Sequence, residues 1–167
     1  MCLHKGGMTV SEIKKVVVFQ VGSEDYAIPI ENVISIEKME GATPIPHLPE
    51  YVKGIVKVRG ELIPVIDFEN ILYNRFLEIN EQTRLIVLQT DDLALGVLVK
   101  DAKEILDIPS DALKQIGLIA CQKTTYFTGV ANLDQRLITV IDPSILVQSL
   151  EGIKEIREHM EDQVQTN

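Results

Sequence analysis

The sequence predicts an all-β protein, assembled as small barrels or a sandwich, with short helices and one longer helical stretch near its end. Three observations carry this. The chain is a succession of short Val- and Ile-rich runs separated by turn residues, and few stretches show helical spacing. The strand–turn–strand pattern from Gly54 to Asp67 returns 75 residues on as Gly129 to Asp142, with Leu62-Ile63 matching Leu137-Ile138 and Val65-Ile66-Asp67 matching Val140-Ile141-Asp142. A second strand–turn–strand pattern, opening at Val16, returns at an offset of 69 over Leu85 to Val99. Repetition on this scale marks a duplicated supersecondary unit.

In chain order, Met1 to Met8 shows no periodicity, which predicts a disordered leader over residues 1–14 or an upstream start. Val16–Val21 reads as a strand, Gly22–Asp25 as a turn and Tyr26–Ile30 as the second strand of a hairpin. Pro29 cannot donate to a ladder, so it predicts an edge position or a bulge. Glu31–Ile36 reads as a helical turn leading into a strand, and Gly41–Pro49 as an extended loop stiffened by proline. Two strands then flank the tight turn Arg59-Gly60-Glu61, and the second runs into a short helix after Asp67. The halves divide near Asn80 to Thr83, giving subdomains at about 15–83 and 84–150 within one body of 15–150. In the second half, Asp101–Ile105 stands where Asn32–Ile36 stood, and Pro109–Gly117 has room for one helical turn capped at Ser110. Leu118-Ile119-Ala120 is an apolar loop of the kind that serves a partner surface. Ile153, Ile156 and Met160 recur at helical spacing, predicting an amphipathic helix or a fraying tail over 151–167.

Composition narrows the function. The chain of 167 residues is 46% apolar and 25% charged, as a soluble globular protein is. A net charge of −9 argues against a nucleic-acid binder, which needs a basic face, and against direct docking on an anionic membrane. No apolar run is long enough to span a bilayer and no signal-peptide pattern opens the chain, so a cytoplasmic location is expected. Cys2 and Cys121 lie far apart, and His4, His47 and His159 have no acid or cysteine at triad or metal spacing. No metal, cofactor or disulfide is expected.

The repeated aspartates Asp67 and Asp142 admit two readings, a paired acid and base or helix N-caps. Capping has the better local support, because Pro143 after Asp142 is a strong helix-start signal. Arg59 stands in the turn where the second half carries Asp134, so the duplication does not preserve it. It reads either as a solvated turn residue or as a donor fork holding a carboxylate, here or in a partner. Val33, Ile36, Val56, Val58, Ala102 and Ile105 are most simply barrel interior, although a seam between duplicated halves also forms grooves for partners.

The stretch Gly54-Ile-Val-Lys-Val-Arg-Gly-Glu-Leu-Ile-Pro-Val-Ile-Asp67, preceded by Phe19-Gln-Val and Tyr26-Ala-Ile-Pro-Ile, resembles the CheW family of bacterial chemotaxis coupling proteins over about residues 15–150. Lys57 stands where the family typically has Asn. The resemblance implies two intertwined, SH3-like, five-stranded β-barrels and no catalytic activity. It implies two partners: the regulatory domain of the histidine kinase CheA and the cytoplasmic tip of methyl-accepting receptors. Carried over by position, a receptor groove would include Val33, Gly54, Arg59 and Ala102. The kinase would meet Ala42, Thr43 and Pro44, with Leu118 and Ile119 at a second, ring-forming contact. A free-standing adaptor fits better than a module fused to a receiver or kinase. The alternatives are a CheV-like or orphan coupling module, a small β-barrel hydrolase using Asp67 and Asp142, and an acidic ligand-binding barrel with an enclosed pocket.

Overall fold

A computed structural model describes residues 13–39, 41–91, 93–115, 126–133 and 136–165. It is all-β, with strands β1 (Ile13–Val21), β2 (Glu24–Pro29), β3 (Val33–Lys38), β4 (Val52–Val58), β5 (Glu61–Asp67), β6 (Arg84–Gln89), β7 (Ala94–Val99), β8 (Asp101–Pro109), β9 (Leu113–Gln115), β10 (Phe127–Leu133) and β11 (Arg136–Ile141). Helices α1 (Phe68–Tyr73), α2 (Pro143–Ser149) and α3 (Ile153–Gln165) follow the hairpins and close the chain. The leader expected over 1–14 falls almost wholly outside the described residues.

The strands form two sheets, ordered β8-β1-β2-β11-β10-β9 and β3-β6-β7-β5-β4. The duplication explains this order, because each half lends its edge strand to the other half's hairpin. β3 pairs with β6, and β8 pairs with β1, both antiparallel. The sheets are completed by parallel joints between β5 and β7 and between β11 and β2. The chain itself links the two edges of each sheet. After β3 it returns to bridge Thr43 to Ile55 on β4, and after β8 a 3-10 turn over Ser110–Ala112 leads into β9, which pairs with β10.

The repeat extends to irregularities. On β3, Val33 and Ser35 face consecutive residues of β6, leaving Ile34 as a bulge; on β8, Ala102 and Glu104 do the same against β1, leaving Lys103. Lys53 on β4 and Thr128 on β10 are likewise matched bulges. Bulges bend a strand and re-aim its side chains, so their retention in both halves marks positions the fold depends on.

The middles of β1, β2, β6 and β7 are buried on both faces, which is why these strands read as apolar runs rather than alternating ones. Along β1, Val16 and Val18 enter a core inside the first sheet, while Val17 and Phe19 enter a core shared between the sheets. Along β6, Leu85 and Val87 fill the second sheet, and Ile86 and Leu88 join the shared core. Burying each such side chain contributes about 1.5–3 kcal/mol.

Several local expectations are corrected. Pro29 is neither at an edge nor at a bulge. It is the last residue of an interior strand, and β11 pairs with that strand only as far as Ala27, so the absent N–H breaks no ladder there. A 3-10 turn over Ile30–Asn32 precedes β3, as the helical-turn reading has it, but β8 starts at Asp101 directly after β7. Ile36 and Ile105 are not interior. They lie on the edge strands at 41% and 54% exposure, because an edge strand presents one side to solvent. The C-terminal segment is a helix, with Ile156 1% exposed and Ile153 and Met160 packed on the shared core.

Candidate functional site

The chain leaving β3 and the β4–β5 hairpin enclose an open cleft of about 550 Å³, lined among others by Glu37, Lys38, Thr43, Val56, Lys57 and Arg59. One wall is fixed by a reciprocal backbone pair: Thr43 N–H donates to the Ile55 carbonyl and Ile55 N–H to the Thr43 carbonyl, both at 2.9 Å. Gly54 makes this approach possible. Its φ is +144°, and a Cβ placed there would lie 2.2 Å from the Thr43 carbonyl oxygen. No side chain fits between these backbones.

The other wall ends at the two-residue turn Arg59-Gly60, where both residues have positive φ, +53° and +86°. That geometry suits a tight hairpin and favours Gly or Asn, so arginine there carries about 1–2 kcal/mol of backbone strain. The Arg59 side chain is 68% exposed, and its Nε lies 3.6 Å from the Glu37 carboxylate on β3. The arginine thus spans the cleft mouth and holds a carboxylate of its own chain. An exposed pair at this distance contributes less than about 1 kcal/mol.

Thr43 and Pro44 are exposed on the loop and Ala42 is half-buried. Val33 and Ala102 occupy equivalent positions, each the residue before the bulge on its edge strand, and both are half-buried. The described cleft brings Arg59 together with Thr43 and, through the backbone contact, Gly54; Val33 and Ala102 stand apart from its lining. Leu118 and Ile119 lie outside the described residues.

The aspartates do not share a site. Asp67 is fully buried; its Oδ1 accepts from Asn70 N–H at 3.1 Å and its Oδ2 from Leu77 N–H at 2.9 Å. Asp142 Oδ1 accepts from Ser144 and Ile145 N–H, at 2.9 and 3.1 Å. Each carboxylate caps its own helix, which removes the paired acid–base reading. The cleft is an open surface feature, unlike the enclosed pocket that a ligand-binding barrel needs.

Three features escape the sequence. Glu37, the partner of Arg59, is visible only once β3 lies beside the hairpin turn. Arg136 bridges Glu104 at 2.9 Å and Asp25 at 3.2 Å, tying β11 to β8 and β2, and these hydrogen bonds raise its pKa above the ordinary arginine value. Tyr26 shares a hydrogen bond with Tyr73, and burial together with that bond raises its phenol pKa.

Comparison with known proteins agrees with this architecture. A model of the CheW-like domain family matches residues 15–151. The chain is 30% identical over 142 residues to the chemotaxis protein CheW of Bacillus subtilis (strain 168), covering 82% of this chain and 90% of that protein. It is 27% identical over 146 residues to CheW of Klebsiella aerogenes, covering 87% of each. Among solved structures, the scaffolding protein TtCheW of Thermoanaerobacter tengcongensis superposes with a TM-score of 0.76 at 27% identity, covering 84% of this chain and 96% of that one. The chain belongs to the CheW-like family, as a non-enzymatic adaptor of chemotaxis signalling.

Proposed function

We propose that this protein works in the cytoplasm, coupling the tip of methyl-accepting chemoreceptors to the regulatory domain of the histidine kinase CheA. The observation that carries the reading is the family match over residues 15–151, nearly the whole two-sheet body. Two repeat-related edge strands place Val33 and Ala102 beside exposed isoleucines on a rigid frame. A receptor helix laid there would bury its apolar face in a helix-in-groove mode. The loop carrying Ala42, Thr43 and Pro44 offers a second face, held in shape by the Thr43–Ile55 pair and available to the kinase at the same time. Leu118 and Ile119 supply the second kinase contact.

Calorimetric titration of the purified protein with a receptor tip fragment and with the kinase regulatory domain tests this. Val33→Asp and Ala102→Asp are expected to weaken receptor binding at least tenfold and leave kinase binding within twofold, since a buried unpaired charge at an interface costs a few kcal/mol. Unchanged receptor binding in both variants removes the groove from these edge strands.

A further inference from the structure

The first half carries an exposed aromatic loop with no counterpart among the described residues of the second half. From Tyr73, the last residue of α1, the chain runs through Arg75, Phe76 and Ile79 without regular structure, whereas α2 leads by way of Leu150 into the packed helix α3. Phe76 is 56% exposed and Ile79 47%, large apolar surface for a segment of this length. The loop is nevertheless built in detail. Asp67 gives its second carboxylate oxygen to Leu77 N–H, and the Leu77 side chain is buried in the core of the second sheet, which turns its neighbour Phe76 outward. Tyr73 hydrogen-bonds Tyr26, and the Arg75 guanidinium lies 5.0 Å above the Tyr73 ring while pairing with Glu69 at 2.7 Å.

The β4 bulge belongs to the same construction. Its extra residue, Lys53, sets its ammonium 5.4 Å over the Phe76 ring, whereas Thr128 at the matching bulge donates its hydroxyl to the Val140 carbonyl. Among the described residues Lys53 has no carboxylate partner. A cation seated on an exposed ring, with no counter-ion among the described residues, is a site for an incoming acidic group next to an apolar one. Lys53 also adjoins Gly54, whose Cα lies against the Thr43 carbonyl and the Pro44 nitrogen, so the patch lies next to the loop of Thr43 and Pro44.

We infer that Phe76 and Lys53 extend the kinase-facing surface, receiving from the kinase regulatory domain an apolar side chain flanked by a carboxylate. This rests on the kinase-facing reading of Ala42, Thr43 and Pro44. Phe76 is exposed and Lys53 half-buried with its ammonium on the outer ring, so Phe76→Ser and Lys53→Glu are expected to keep the fold, which the thermal midpoint checks. Calorimetry with the kinase regulatory domain and with the receptor tip fragment is run on the full chain, on these two variants and on Pro44→Asp. The expected result is an affinity loss for the kinase domain of about tenfold in each of the two variants, with receptor affinity unchanged. Kinase affinity within twofold of the parent in both, while Pro44→Asp weakens it, overturns the inference and leaves the loop face standing. Kinase affinity unchanged in all three variants overturns the loop face and the inference together. A loss confined to the receptor fragment assigns the patch to the other partner and overturns the inference as well.

Discussion

Arg59 sits in a left-handed backbone position that glycine fills without strain, and its only ion pair among the described residues is an exposed one with Glu37. Backbone strain of this kind is often retained for function, which makes Arg59 a residue to test for the binding role that the family resemblance implies. Arg59→Gly is expected to leave stability unchanged or raise it by up to about 1 kcal/mol, while lowering receptor-dependent kinase activation. A denaturation curve and a coupled phosphorylation assay read the two effects separately, and normal activation would return Arg59 to a plain turn residue. Gly54 works in the opposite sense. The Thr43 backbone occupies the space a side chain would need, so Gly54→Ala is expected to cost about 1–3 kcal/mol and to displace the Thr43 loop. A change there is therefore unsuited as a clean probe of binding. The aspartates also separate at this scale. Asp67→Ala strands two buried N–H groups and should cost about 2–4 kcal/mol, against about 1 kcal/mol for Asp142→Ala at the more exposed cap. Both caps were legible in the sequence because capping is local. The Gly54–Thr43 approach and the Glu37 pair were not, since each joins residues that only the folded hairpin brings together.

Among the elements, α3 tests how far the body extends beyond the repeat. The spacing of Ile153, Ile156 and Met160 left open a helix or a tail, since periodicity alone cannot say whether a seat exists. The seat is the shared core, and the entry to the helix is fixed by the Tyr51 hydroxyl donating to the Glu151 carbonyl and by Gly152 packing on Pro49. Ile156→Ala should therefore cost about 2–4 kcal/mol, and Lys154→Ala on the exposed side less than about 0.5 kcal/mol. Equal, small effects on the denaturation midpoint would make α3 a surface appendage. The edge strands show the other limit of sequence reading. Their strand character was plain, but apolar residues such as Ile36 and Ile105 read as interior until the sheet order placed them at an edge.

For the whole molecule, the decisive feature is exchange. The duplication was visible as repeated residues and the intertwining came with the family resemblance, yet the specific pairing of β3 with β6 and β8 with β1 was not legible in the residues, because local patterns do not select among distant partners. Exchange predicts interdependence: fragments 13–83 and 84–165 made separately should each lack a stable fold and should recover strand circular dichroism on mixing. The shared core also sets the alkaline limit. Burial raises the phenol pKa values of Tyr26, Tyr51 and Tyr126, that of Tyr51 to about 12. A raised folded pKa contributes stability that is complete below about pH 10 and lost as pH climbs through the folded value, so the midpoint should fall between about pH 10 and 12. The central claim, that one rigid adaptor body holds receptor and kinase on different faces, is tested most directly by analytical ultracentrifugation of the protein with a receptor tip fragment and the kinase regulatory domain together. The account predicts a ternary complex heavier than either binary one; two partners that displace each other, or that both fail to bind, would contradict it.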